Sequence, residues 1–185
     1  MTWEMIRITG LVALAFLTMS VALGIAGPAV RNATSRLVSV SMHLTAAVAG
    51  ISLVLAHIVF AILDSWVCVP LAAAVVPGAS QWEPLWVGVG TVAFDLLLVL
   101  AVTSALRQQA PGLWRRAHIV AYPMWGLVWI HTLAVGTDAG TPLMIGMAAA
   151  SAGLVTAAIV VRRMNRRPVP IRPTARPTVP LEALR

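Results

Sequence analysis

Charge is scarce in this chain, and lysine is missing altogether. Only 10% of the 185 residues are charged, against about 25% in soluble domains, and mean hydropathy is +0.90. This combination excludes a water-soluble globule and reads as an integral membrane protein built all of α-helices. A single cysteine, Cys68, excludes an internal disulfide and a cysteine-ligated cluster; it reads as an inert packing residue. All 13 basic residues are arginine, which together with the abundance of Ala and Val suggests a GC-rich bacterial genome. The net charge of +7 does not point to nucleic acid. The arginines sit in short clusters flanking apolar runs, as in the cytoplasmic loops of membrane proteins, so the expected partner is a lipid bilayer. At about 20 residues per spanning helix, the chain has room for about five or six helices and no soluble catalytic domain.

Five apolar segments are legible. The first runs from about Thr9 to Gly27 and stops at Gly27-Pro28; a cleaved signal peptide is a second reading of it. Arg31 and Arg36 make the next loop basic, and a second segment follows from Leu37 to Leu63, closed by Asp64. Ser65 to Trp86 holds three prolines and three tryptophans, which makes it an interfacial loop with aromatic anchors. Val87 to Leu106 is the third segment. After a loop carrying Arg107, Arg115 and Arg116, Ala117 to Val135 is the fourth, and beyond a Gly136–Gly140 turn Leu143 to Val161 is the fifth. Residues 1–161 thus form the membrane domain, and residues 162–185 a basic, proline-rich, disordered cytoplasmic tail. The arginines fall in the first and third loops and the tail, whereas Asp64, Glu83 and Asp138 fall in the second and fourth loops. The positive-inside rule then places the N-terminus outside and the C-terminus in the cytoplasm of a bacterial inner membrane.

Histidine is also sparse: there are four, all inside apolar segments. His43 and His57 lie 14 residues apart on the second segment, His118 and His131 13 apart on the fourth. At ~1.5 Å per residue each pair spans roughly 20 Å of a ~30 Å hydrocarbon core. The topology makes both segments run the same way, so His43 is level with His118 and His57 with His131. Low-spin haem iron takes two axial ligands from opposite faces, and neutral imidazoles on neighbouring helices supply them without burying charge. The four histidines therefore read as the ligands of two haem b groups in a transmembrane cytochrome. A zinc site is a poor rival, because ligands ~20 Å apart on one helix cannot share an ion. Ala47 and Gly50 lie on the His43–His57 stripe and would let a porphyrin approach. On the fourth segment an ideal helix sets His131 roughly 140° away from His118, and Pro123 is expected to distort that helix.

These residues resemble the ferric reductase-like transmembrane superfamily, which includes ferric reductases, NADPH oxidases and the haem subunit of bacterial periplasmic methionine-sulfoxide reductase. That family spaces one histidine pair by 14 and another by 13 or 14. The segment Leu113-Trp114-Arg115-Arg116-Ala117-His118-Ile119-Val120-Ala121-Tyr122 is similar to its Trp-Arg-x-x-His…Tyr entry to the second histidine helix. The resemblance covers about Leu37 to Asp138 and implies that His43 with His118 binds the cytoplasmic-side haem and His57 with His131 the outer one. Family oxidases continue into flavin- and nicotinamide-binding domains. Here about 24 residues follow the last segment, without a glycine-rich nucleotide motif. The expectation is an oxidoreductase subunit that needs a partner: electrons from a cytoplasmic flavoprotein carrying FMN or FAD, or from a quinol, and an outer acceptor such as a periplasmic protein. A haem-bearing subunit that anchors or regulates a larger redox complex is the alternative, and a histidine proton relay in a transporter a third.

Secondary candidates surround the histidines. Arg116 and Arg115, one turn or less before His118, are placed to meet a haem propionate, with Arg36 a weaker candidate of the same kind. Tyr122, Trp125 and Trp129 follow His118 at helical spacing, chiefly as packing. Asp95 is the one acid expected well inside a membrane helix, where it needs a hydrogen-bond partner. Asp138 lies in the outer turn after His131.

Overall fold

The computed structural model describes residues 1–30 and 32–165. Of the tail expected to be disordered over residues 162–185, residues 162–164 are helical instead, and residues 166–185, like Arg31, lie outside the described residues. Among the described residues there are six α-helices: α1 Thr2–Ala26, α2 Ala33–Leu63, α3 Pro84–Ala105, α4 Pro111–Ala117, α5 Ala121–Val135 and α6 Pro142–Met164. The helices α4 and α5 are joined by a 3-10 turn, His118–Val120, into one spanning unit. There are then five stretches long and apolar enough to cross a membrane.

Helix starts follow local chemistry. Proline occupies the first turn of α3, α4 and α6, where its missing N–H costs nothing. Asn32 accepts from the Thr34 N–H at 3.0 Å to cap α2, and Thr141 from the Met144 N–H at 3.3 Å to cap α6. Most helices run longer than their apolar cores. α1 begins at Thr2 rather than Thr9, α2 at Ala33 rather than Leu37, and α6 continues past Arg162 and Arg163. Arg36, Arg115 and Arg116 consequently stand on helices rather than in loops. The reason is that arginine is a good helix former and its long stem lets the charge leave the apolar layer while the backbone stays helical.

The first helix is the hub. It packs along α2 and α6 and also touches α5, while α3 packs along α5. Leu17 of α1 meets Leu97 and Leu100 of α3 and Met124 of α5 in one buried cluster, and Ala22 and Ile25 meet Ala158 of α6 in another. Gly50 of α2 is used in this packing: a Cβ there would lie 3.0 Å from the Leu17 side chain. The expectation that Gly50 makes room for a porphyrin is corrected accordingly; its missing side chain lets α1 and α2 close up. In contrast, α2 makes no extended contact with α4 or α5. The two histidine-bearing units are held apart, with α1 the helix that packs against both.

At one end of the bundle the chain is tied by polar contacts. Thr2 Oγ1 donates to Asp64 at 2.6 Å, and Asp64 accepts from the N–H groups of Trp66 and Val67 at 2.9 and 3.1 Å. Those bonds, the Thr2 hydroxyl first, hold the Asp64 carboxyl below its ordinary pKa, against the opposing effect of desolvation. Arg7 donates to Asp138 through Nε at 2.9 Å and Nη2 at 2.6 Å, and also pairs with Glu4. Trp3 meets Trp82 edge-on at 6.4 Å. The start of α1, the end of α2, the α2–α3 loop and the α5–α6 turn thus share one end with Asp64, Glu83 and Asp138. Arg36, Arg107, Arg115, Arg116, Arg162 and Arg163 lie at the other. Cys68, expected to pack, is exposed in the α2–α3 loop with a positive φ of 44°; a thiol on a loop turned outward buries nothing.

Candidate functional site

The four histidines meet in the two level pairs read from the sequence. His43 and His118 have ring centroids 6.2 Å apart, and His57 and His131 6.4 Å apart. Each pair bridges the gap between α2 and the α4–α5 unit. Among the described residues no group of three or more His, Cys, Asp or Glu side chains converges; the histidines act two by two.

Helix α5 achieves its pairing by the 3-10 turn at His118–Val120. Proline at position 123 cannot donate to the carbonyl four residues back, at Ile119, and its ring crowds that carbonyl. The backbone tightens there, with the Ala121 N–H bonded to the His118 carbonyl. A 3-10 residue advances about 120° instead of about 100°, so three of them recover roughly 60° of the ~140° misfacing of an ideal helix. The distortion expected from Pro123 is present, placed one turn before it.

Three histidines are seated by one device. His57 Nδ1 bonds the Ile6 carbonyl at 2.9 Å, His43 Nδ1 the Ser20 carbonyl at 2.8 Å, and His131 Nδ1 the Trp86 carbonyl at 2.8 Å. In every case the residue four positions on is glycine: Gly10, Gly24 and Gly90. A Cβ at Gly90 would lie 2.6 Å from His131 Nδ1, at Gly10 3.0 Å from His57 Nδ1, and at Gly24 3.4 Å from His43 Cε1. The absent side chain opens a notch for the ring, and the carbonyl one turn back takes the Nδ1 proton. This fixes the tautomer and leaves Nε2 as the free nitrogen, the state in which neutral imidazole binds a metal. Ser20 Oγ adds a second contact to His43 Nδ1 at 3.2 Å. His118 differs: its Nδ1 is buried and has no partner among the described residues, and Trp114 lies beside its ring at 5.3 Å.

Sequence reasoning did not find these glycines or carbonyls, although a trace was there. Gly10 and Gly24 are 14 residues apart, the same interval as His43 and His57, as two antiparallel neighbours require. It also missed Arg7, whose pair with Asp138 lines the same cavity as His57 and His131. That cavity holds about 210 Å³ and is walled mainly by apolar side chains, among them Leu14, Phe94 and Val128. Of the other candidates, Arg115 donates only to the Pro111 carbonyl, at 3.4 Å, and it, Arg116 and Arg36 are exposed. Trp125 donates to Thr18 Oγ1 at 3.0 Å, a structural bond between α5 and α1. Asp95 is half-buried on α3. Tyr122 is exposed and Trp129 half-buried.

The geometry suits two imidazoles on opposite sides of one metal ion. A metal–imidazole bond is about 2.0 Å and the nitrogen lies roughly 1.1 Å from its ring centre, so two axial imidazoles set their centroids about 6 Å apart. A flat group between α2 and α5 would rest on apolar walls, with the histidine rings seated in the glycine notches on either side. Comparison with family models, with curated proteins and with solved structures returns no match.

Proposed function

We propose that the protein is a ferric reductase-like di-haem cytochrome b subunit, which carries single electrons across a bacterial inner membrane. His43 with His118, and His57 with His131, are the axial ligands of two haem b groups. The observation that carries this reading is the pairing itself: two histidine pairs at metal-bridging separations, held across a gap between helices, with Nδ1 engaged in three of the four. Bound there, the two irons would supply one-electron carriers at two depths of the bilayer. The chain's own part is to hold neutral imidazoles at fixed orientation, keep water from the sites with an apolar wall, and present arginines near one of them. Arg116 and Arg115 stand one turn or less before His118 and are free to turn to a propionate of the haem at that end.

The arginine-rich end faces the cytoplasm in this reading, where a flavoprotein or membrane quinol donates, and the Asp64–Asp138 end faces an outer acceptor. Membranes containing the protein are expected to show a reducible b-type spectrum, with a Soret shift on dithionite and two haems per chain by pyridine hemochromogen. His57→Ala and His118→Ala should each lose one haem, and not the same one. Absence of any haem spectrum would refute the reading; loss of both haems from either variant would refute the assignment of ligands to two sites.

A further inference from the structure

We propose that the two sites are electrochemically unequal, with the His43–His118 site the more oxidising, because His118 is the histidine whose Nδ1 has no hydrogen-bond partner among the described residues. The inference rests on the haem reading above and deepens it. Three histidines donate to a helix carbonyl at 2.8–2.9 Å with a glycine notch four residues on. That donation pushes electron density toward Nε2 and makes the ring a stronger ligand, which favours ferric over ferrous iron and lowers the potential. At the His57–His131 site both ligands are so engaged. At the His43–His118 site only His43 is, since the buried Nδ1 of His118 has no partner among the described residues.

The reason lies in α3. That helix provides the Trp86 carbonyl and Gly90 for His131. The stretch 13 to 14 residues further along it, the interval that separates the paired histidines, is Thr103-Ser104 and contains no glycine. Thr103 is buried, and its hydroxyl donates to the Val99 carbonyl at 2.7 Å and the Leu100 carbonyl at 3.3 Å. The fourth seat is closed twice over, by a side chain where the others have a notch and by a hydroxyl on the carbonyls. Fixed charge acts in the same direction. Arg36, Arg115 and Arg116 lie toward the His43–His118 end, while at the other Arg7 is paired with Glu4 and Asp138, and Asp64 adds a further carboxylate. Cations favour the reduced iron, which carries one positive charge fewer. In the direction proposed above, one electron would pass from the His43–His118 iron to the His57–His131 iron and no atom would move, so the step runs against this difference in potential and is drawn forward by the outer acceptor.

Anaerobic potentiometric titration of the purified protein, read at the α-band, tests this. Two one-electron waves are expected, separated by at least tenfold in the equilibrium constant, which is 59 mV for a one-electron couple. His131→Ala, retaining the His43–His118 site, should keep the upper wave, and His57→Ala should do the same. His43→Ala should keep the lower one. Thr103→Gly, which opens the notch and frees the carbonyls, should lower the upper wave and leave the lower one in place, with two haems per chain confirming that the variant is intact. Coincident waves, the reverse assignment, or an upper wave that Thr103→Gly does not move would overturn the proposal while leaving the di-haem reading standing. A protein without haem would overturn both.

Discussion

A methyl group placed in the Gly90 notch is the sharpest test of how the site is built. The Cβ of Gly90→Ala would sit 2.6 Å from His131 Nδ1 and 2.7 Å from Cε1, closer than any packed pair tolerates, and the ring cannot retreat without leaving the Trp86 carbonyl. Overpacking of this kind costs about 1–3 kcal/mol, and the lost hydrogen bond about 1 kcal/mol more. Against this, alanine in a helix interior recovers about 0.5–1 kcal/mol over glycine. The net of roughly 1–3 kcal/mol, at 1.4 kcal/mol per factor of ten, is about a ten- to hundredfold weaker hold on the haem proposed for the His57–His131 site. The same substitution at Gly10, with a contact of 3.0 Å, should cost less, and at Gly24, where 3.4 Å is ordinary van der Waals contact, very little. Gly146 and Gly153 on α6 have nothing within 4 Å and serve as controls that should gain slightly in stability. Haem per chain after detergent extraction and dialysis against apomyoglobin, alongside the thermal midpoint, reads the series. A Gly90→Ala protein that retains both haems as well as wild type, or a loss that ranks Gly24 above Gly90, would refute the notch.

Three further outcomes follow from the polar end and the loops. The Asp64 carboxyl is held below its ordinary pKa by Thr2, Val67 and Trp66, so its stabilisation is complete above the unfolded value of about 3.9 and is lost as pH falls through the lower folded value; Asp64→Asn should flatten that acid limb in helix content measured by circular dichroism, and an unchanged acid midpoint would count against it. Breaking the Arg7–Asp138 pair, whose side chains are 34% and 16% exposed, with Asp138→Asn should lower the thermal midpoint, whereas Glu4→Gln should change it little because Glu4 is exposed; equal effects would deny the Asp138 pair its role. Cys68, the one cysteine and exposed on the α2–α3 loop, should react with a membrane-impermeant maleimide added to cells with a permeabilised outer membrane, and labelling only after inner-membrane lysis would invert the proposed orientation.

How much of this was legible in sequence depends on where each physical cause resides. The five spanning segments were readable because burial in a bilayer demands long apolar runs, a property of consecutive residues. Their ends were not, since Arg36, Arg115 and Arg162 remain helical while their charges reach outward, so hydropathy stops before the backbone does. The level pairing of His43 with His118 and His57 with His131 was readable from spacing and loop charge together. The cure for the misfaced fourth segment was readable only in part: Pro123 signalled a distortion, but its form as a 3-10 turn at His118–Val120 depends on how the helix packs. Gly50 was assigned to the wrong neighbour for the same reason, because a small residue on a stripe says that something comes close without saying what.

By itself the sequence determined an all-helical membrane chain with two histidine pairs at matching depths, since hydropathy, charge bias and residue spacing are carried along one strand of covalent bonds. Only the tertiary structure decided which helices seat those histidines. The notches of α1 and α3 and their one-turn-back carbonyls are relations between chains of atoms far apart in sequence. Such relations arise from which surfaces pack together, and packing is a property of pairs of helices rather than of any one.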